Sequence, residues 1–320
     1  MERICGHVVS RRRVGRIVFV VLRGFTGMAQ LTVKHGEVPE EVWRTAVDLG
    51  LEYFVCAEGR PAEKQIARVG PEIIPARIDV LAESRPTPID LSGKVEAEFP
   101  TRIRYRYLDI RRPSVKAVFR IRSSVSRYAR EFLYGEGFVE LHFPIIIASA
   151  TEGGAELFPV KYFDRQAYLA QSAQLYKQSA VASFGKVFTI GPSFRAEKSR
   201  TRKHLTEFLQ IDVEQALASK EELMSLQFRL VRYVYEKVAR EHAADLEILG
   251  VELEPPKSYS KISYEEALSI LRRRGFEAEW GMDFGSDEER ALCSEFEEPF
   301  FITEFPAGQT AFYYMVSRED

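Results

Sequence analysis

The stretch Phe188 to Glu214, FTIGPSFRAEKSRTRKHLTEFLQIDVE, constrains the fold more than any other part of the chain. Its second half alternates with the period of two that belongs to a strand. Leu205, Leu209, Ile211 and Val213 fall on one side with Glu207, and Thr206, Phe208, Gln210, Asp212 and Glu214 on the other. Phe188–Glu197 reads as the partner strand. The loop Lys198–His204 between them carries Lys198, Arg200, Arg202, Lys203 and His204. Such a hairpin predicts a core wall behind and a site in front. The Arg195 guanidinium and a basic loop suit polyphosphate, and the flat ring of Phe208 suits a base. A solvated hairpin is the plain alternative; Arg195 and Glu197 before the loop and Phe208 after it weigh against that.

Residues 1 to 85 predict a small β domain. Ile4–Val9, Ile17–Leu22, Ala29–Lys34, Tyr53–Glu58 and Glu72–Leu81 are short β-rich runs, with turn signals at Gly15, Gly27 and Gly70 and a helical interruption at Pro39–Leu49. Five strands with a helix after the third is the pattern of an OB-fold barrel, a common binder of single-stranded nucleic acid. Arg11, Arg12, Arg13, Arg16 and Arg23 concentrate positive charge at one end, with Phe19 available to stack on a base; a solvated turn and a core phenylalanine are the plain readings of each alone. Residues 86 to 113 read as a linker, prolyl at RPTPIDL and basic with interleaved tyrosines at IRYRYLDIRRP. The sequence leaves open whether this segment follows an RNA backbone or packs between domains.

Residues 114 to 320 predict a second, α+β domain. Ser114–Tyr134 reads as a helix, Phe138–Leu141 as a strand, and the glycine pair in TEGGAELF as a tight turn that brings Glu152 near a ligand. Ser172 is placed to cap a helix carrying Gln174, Lys177 and Gln178, with Gln174 and Lys177 on one face. Ser219 with Glu222, Ser263 with Glu266 and Ser286 with Glu289 match capping boxes. Pro299–Thr303 and Ala311–Val316 read as strands.

Composition bounds the function classes. The formal net charge is −2, so any nucleic-acid contact must come from local patches rather than a global basic field. The three cysteines, Cys5, Cys56 and Cys293, are scattered singly, which predicts no disulfide framework and a reducing, cytoplasmic setting. The longest apolar runs are too short to span a bilayer.

Together these motifs resemble a class II aminoacyl-tRNA synthetase of the archaeal asparaginyl/aspartyl group, over nearly the whole chain. Gly137-Phe138-Val139-Glu140 through Pro144 resembles motif 1, the dimerisation element, and Phe194-Arg195-Ala196-Glu197 through Glu207-Phe208 resembles motif 2; TEGGAELF and QSAQLY are patterns of the group. The resemblance implies an OB-fold anticodon-binding barrel, although His7 stands where a tryptophan is usual, followed by part of an antiparallel-sheet catalytic domain. It implies ATP and Mg²⁺, tRNA for Asn or Asp, and a homodimer. Arg195 would hold the ATP α-phosphate and the transition state. Glu197, Arg202, Lys203, His204, Phe208 and Gln210 would bind the rest of ATP, with Phe208 on the base and His204 near the β/γ-phosphates. Glu152 would take the amino group of the amino acid beside Gln174, Lys177 and Asp212. Phe19, Gln30 and Arg12 would read the anticodon.

The motif 2 loop and the segment DEERALCSEFEEPFFITEFP resemble asparaginyl enzymes and favour asparagine. Lys177 and Asp212 look aspartyl, since an ammonium there would meet a side-chain carboxylate. Aspartate, with one or both tRNAs, is therefore the alternative. The family's glycine-rich motif 3 and its acidic Mg²⁺ ligands have no counterpart before Asp320. That opens two further readings, a non-catalytic tRNA-binding remnant and a fragment or frame-shifted product of a longer enzyme.

Overall fold

A computed structural model of the chain describes residues 1–67, 69–149, 157–196, 205–311 and 313–316. The chain divides into two compact units, Met1–Lys116 and Ala117–Asp320, each described by itself.

In the first unit, β1 (Glu2–Val14), β2 (Ile17–Arg23), β3 (Met28–Lys34), β4 (Phe54–Pro61) and β5 (Glu72–Ala82) close into a barrel in the order β1-β2-β3-β5-β4, and α1 (Glu40–Asp48) lies between β3 and β4 in sequence. All pairs are antiparallel except β3 with β5. Strand alternation sends Val18, Val20, Leu22, Leu31 and Val33 inward, each fully buried, where they meet Val42, Trp43 and Ala46 of α1. Burying each larger side chain contributes about 1.5–3 kcal/mol before the entropy of ordering the chain is subtracted. Gly59 is required where β4 meets β5, because a Cβ there would lie 2.1 Å from the Ile74 carbonyl oxygen.

The closing seam joins β1 to β4, and there Cys5 lies directly opposite Cys56 and the two form a disulfide. This corrects the expectation of three unpaired cysteines. Fifty-one residues separate the pair in sequence, so spacing carried no sign of it; strand register brings them together.

The segment after β5 belongs to the same unit. Ile89, Leu91 and Leu108 form a small core beneath α2 (Phe99–Arg104) and α3 (Arg106–Asp109). Its arginines are engaged internally. Fully buried Asp109 accepts from Arg102 at 2.9 Å and from Arg106, with Arg112 at 3.6 Å. Burial pushes the Asp109 carboxyl up, but Arg102 and Arg106 outweigh it and hold the group below the usual carboxylate range. Arg111 lies 3.3 Å from Glu52, and Arg112 donates to Glu96 at 2.7 Å. All four arginines are thus paired within the unit.

The second unit is mixed α+β, as the sequence predicts. It comprises α4 (Pro113–Gly135), which begins at the end of the first unit, β6 (Val139–Glu140), β7 (Ile146–Ile147), β8 (Pro159–Tyr162), β9 (Arg165–Leu169), α5 (Gln174–Phe184), β10 (Lys186–Phe194), β11 (Glu207–Gln215), α6 (Lys220–Glu241), α7 (Ala243–Leu249), β12 (Ser260–Ser263), α8 (Tyr264–Arg273), α9 (Ser286–Cys293) and β13 (Phe300–Thr303). β10 sits between antiparallel β11 and parallel β6. Ala129 and Leu133 of α4 and Leu226 of α6 pack on Phe188 and Ile190 of β10. A second core gathers Tyr264, Leu268, Leu271 and Leu292 between α8 and α9.

Ser219 with Glu222 and Ser263 with Glu266 form complete capping boxes. Two expectations fail. The N-cap of α9 is Gly285, so Ser286 is the first helical residue and forms no box with Glu289. A 3₁₀ turn at Ala307–Gln309 breaks the chain before 311–316, where the described residues form no strand. Among the described residues no helix is long and apolar enough to cross a membrane.

Candidate functional sites

The outer face of the barrel collects the predicted RNA-reading residues. Arg12 pairs with Phe19 across β1 and β2, and Phe19 pairs with Thr32 across β2 and β3. One row further, Val21 pairs with Gln30, and Gln30 with Glu72 of β5. Directly opposite residues share a face, so Arg12, Phe19, Thr32, Gln30 and Glu72 form one surface. Phe19 is half-buried there, because Val18 and Val20 fill the core instead.

Glu72 organises this surface. Its carboxylate accepts from the Thr32 hydroxyl, from Gln30 Nε2 at 3.4 Å and from the backbone N–H groups of Ile66 and Ala67 at 2.9 and 3.0 Å. Burial pushes its carboxyl up, yet the Thr32 hydroxyl and the two backbone donors prevail and hold it below the ordinary value of 4.5.

Four of the five arginines that concentrate charge here have partners within the unit. Arg11 donates to the Val47 carbonyl, Arg13 to the Gly15 carbonyl at 3.2 Å, Arg16 to His35 at 2.8 Å, and Arg23 to Glu52 at 2.7 Å. Arg12 alone of the five has no partner among the described residues. His7, which stands where the resemblance expects a tryptophan, packs edge-on against Phe54, its ring Nδ1 3.2 Å from the Glu52 carbonyl oxygen.

In the second unit, the β10–β11 register aligns Ser193 with Phe208, Gly191 with Gln210, Thr189 with Asp212 and Val187 with Glu214. The polar face predicted from alternation is therefore real, and α5 lies against it. The opposite face is only partly the core wall that was expected. Val213 packs into the core, but Leu209 and Ile211 are 43% and 37% exposed, because β11 is the edge of its three-stranded sheet.

Toward the hairpin loop, Arg195 donates its backbone N–H to the Thr206 carbonyl, and its guanidinium carbon lies 5.5 Å from the centroid of the Phe208 ring. At the other end of the same face, Lys177 is almost fully buried between two carboxylates. Its Nζ is 3.2 Å from Asp212 and 3.7 Å from Glu214, while Gln174 donates to Glu214 at 3.1 Å. Ser172 is not the N-cap of α5; Ala173 is, although the Gln174 N–H reaches the Ser172 hydroxyl at 3.3 Å. Between the two ends, Ser193 donates to Gln210 and Gln210 to Asp212. Glu152, Glu197, Arg202, Lys203 and His204 lie outside the described residues. The face thus offers a cation beside a flat ring at one end and a buried ammonium among carboxylates and amides at the other. That combination suits a nucleotide next to a small zwitterion.

Glu72, Thr32, Ser193 and the pairing of Glu214 were not assigned from sequence. Glu214 was already on the polar side by alternation. Glu72 opens its strand, where an acidic residue reads as a turn rather than as part of a site.

The geometry defines a two-unit protein, a closed β-barrel and an α+β unit with one polar strand face. Residues 98–320 match the family of tRNA synthetases class II (D, K and N). The chain belongs to that family. It is 46% identical to an aspartate–tRNA(Asp/Asn) ligase of Methanopyrus kandleri, over 99% of this chain and 75% of that protein. Identity to an aspartate–tRNA(Asp) ligase of Pyrococcus abyssi is 43%, over 98% of this chain and 74% of the relative. Among solved structures, the asparaginyl-tRNA synthetase of Pyrococcus horikoshii complexed with asparaginyl-adenylate matches with a TM-score of 0.93 at 38% identity, over 99% of this chain and 74% of that one. The relatives are aminoacyl-tRNA ligases, and by that resemblance so is this chain.

Proposed function

We propose that the protein activates aspartate with ATP and transfers it to tRNA(Asp) and tRNA(Asn). The observation that carries the choice of amino acid is the buried ammonium of Lys177: set between Asp212 and Glu214, it has three N–H donors, and a side-chain carboxylate is a stronger acceptor for one of them than an amide. The names of the Methanopyrus relative and of its counterpart in Methanocaldococcus jannaschii, 40% identical, agree with both tRNAs. Asparagine is the second reading, favoured by the likeness to the Pyrococcus horikoshii asparaginyl enzyme.

In this reading the amino-acid carboxylate attacks the α-phosphorus of ATP in line, and pyrophosphate leaves. No protein nucleophile is needed; the rate comes from positioning and from stabilising the charge that develops. Arg195 holds the α-phosphate and Phe208 stacks on adenine, with Glu197, Arg202, Lys203 and His204 around the remaining phosphates and base. Glu152 and Gln174 hold the amino acid beside Lys177 and Asp212. Mg²⁺ accompanies the phosphates; among the described residues no group of three or more His, Cys, Asp or Glu side chains is gathered to hold a metal, so no ligand is assigned. The barrel acts as an OB-type anticodon reader through Phe19, Gln30 and Arg12. The proposal includes a homodimer, which sedimentation at micromolar concentration tests.

ATP–pyrophosphate exchange with aspartate and with asparagine, followed by charging of each tRNA, tests the reading. Aspartate-dependent exchange is expected. Exchange with asparagine alone would move the assignment to asparagine, and tRNA binding without any exchange would make the chain a non-catalytic binder.

A further inference from the structure

Four polar side chains form a continuous chain across the β10–β11 hairpin. The Ser193 hydroxyl donates to Gln210 Oε1 at 2.8 Å, Gln210 Nε2 donates to Asp212 Oδ1 at 3.1 Å, and Asp212 Oδ1 lies 3.2 Å from Lys177 Nζ. Ser193 is buried, so its hydroxyl must find a partner, and Gln210 supplies one. That donation fixes which end of the Gln210 amide faces Asp212. With its carbonyl occupied by Ser193, the amide turns its N–H to the carboxylate. The direction of the chain fits its far end, where an acceptor-only carboxylate must stay aligned with a buried ammonium.

We propose that Ser193 and Gln210 are positioning residues of the amino-acid pocket, locking Asp212 and through it Lys177, and that Gln210 does not serve as an ATP contact. The inference rests on the ligase reading above and departs from the family-based assignment of Gln210 to the nucleotide. Ser193 stands directly opposite Phe208 in the ladder, so the chain starts beside the base-stacking ring and ends in the pocket. Both amide groups of Gln210 are committed along it. Without the Ser193 hydroxyl the Gln210 carbonyl loses its donor, and the amide is anchored at one end only. The N–H that holds Asp212 is then less firmly placed, and Asp212 is less firmly aligned with Lys177.

The test is calorimetric titration of the whole chain with aspartate, asparagine and ATP separately, for the parent protein and for Ser193→Ala, Ser193→Thr and Gln210→Leu. Losing one hydrogen bond in a line that ends on a charge predicts that Ser193→Ala and Gln210→Leu weaken amino-acid binding by about tenfold or more. ATP affinity should stay within about twofold, well under the 1.4 kcal/mol that marks a tenfold change. Ser193→Thr keeps the hydroxyl and should restore amino-acid binding, which a mere packing role would not predict. Unchanged amino-acid affinity in both Ser193→Ala and Gln210→Leu overturns the proposal, as does a loss that falls on ATP. A parent protein that binds ATP and neither amino acid, or binds nothing, overturns the ligase reading itself. If Ser193→Ala fails to fold, Gln210→Leu decides the same question by itself.

Discussion

The Gln30 amide and the Glu72 carboxylate meet where β3 pairs with β5, Gln30 Nε2 donating to Glu72 Oε1 at 3.4 Å. Gln30 Nε2 also reaches the Thr32 hydroxyl at 3.3 Å, so the amide nitrogen is committed and the carbonyl oxygen is the end left for a ligand. Under the proposed anticodon role, a base read there would present a hydrogen-bond donor. Glu72→Gln substitutes an amide for an acceptor that serves a hydroxyl, a side-chain amide and two backbone N–H groups. The expected cost is about 1.5–3 kcal/mol of unfolding free energy, the range for hydrogen bonds to a charged group. Urea denaturation measures it, and a loss within experimental error would show that the network is replaceable.

The same carboxylate sets a pH dependence. A folded pKa held below the unfolded value contributes stability that is fully present above the unfolded pKa and is lost as pH falls through the folded one. For Glu72, whose ordinary value is 4.5 and whose shift is downward, the contribution is complete above that value and fades below it. Titration followed by NMR should give a Glu72 midpoint under 4.5, with the Ile66 and Ala67 amide signals moving at that midpoint. Thr32→Val should raise it. A midpoint at or above the ordinary value would contradict the hydrogen-bond assignment.

Arg12 and Phe19 share one row of the barrel face, and their contributions to RNA binding should differ in kind. Phe19→Ala removes a stacking platform worth about 1–3 kcal/mol per base, so tRNA affinity should fall by roughly 5- to 150-fold with little change in salt dependence. Arg12→Ala should lower the slope of log affinity against log salt by about 1, the signature of one phosphate contact. Arg13→Ala and Arg16→Ala should change that slope little, because both guanidiniums already serve partners within the barrel. Filter binding at several salt concentrations separates these outcomes. Equal slopes for the Arg12 and Arg13 variants would dismiss the distinction.

Lys177 compensates Asp212 and Glu214 in a buried position. Removing one partner of a buried pair leaves uncompensated charge, at a cost of about 3–5 kcal/mol. Lys177→Met should therefore lower the thermal midpoint strongly, and Lys177→Met with Asp212→Asn should recover part of the loss. A double variant as unstable as the sum of the single ones would mean that the pair is energetically uncoupled.

Sequence and structure agree where a local pattern has one physical solution. The barrel strands and α1 follow from period-two runs and an amphipathic stretch, and each lies within a few residues of its expected bounds except β1, which runs on to Val14. The polar face of β11 was legible because alternation leaves no other arrangement. What the pattern could not supply was cover. Leu209 and Ile211 read as core by type, but coverage depends on what neighbours a strand in space, and β11 is an edge. The same gap hid the commitments of Arg11, Arg16 and Arg23, whose partners are distant in sequence, whereas Arg13 meets Gly15 only two residues on. Glu72 was missed because its partners, Gln30 and Thr32, arrive only through the parallel pairing of β3 with β5.

The disulfide between Cys5 and Cys56 is the sharpest departure from what the sequence predicts, and its position decides what it does. It joins β1 to β4, the pair that closes the barrel. It therefore restrains the unfolded chain across a separation of 51 residues. Chain-entropy arguments assign a loop of that size about 4 kcal/mol. Cys56 is almost fully buried and Cys5 only partly, so a reductant reaches the bond from the Cys5 side. Mass spectrometry under non-reducing conditions should find only Cys293 open to alkylation. Full reduction, or the double variant Cys5→Ser with Cys56→Ser, should lower the melting temperature of the barrel unit by on the order of 10 °C or more. The second unit's transition should stay in place, because neither cysteine belongs to it. Three alkylatable thiols in the folded protein, or a barrel transition indifferent to reductant, would show that the barrel stays closed without the staple.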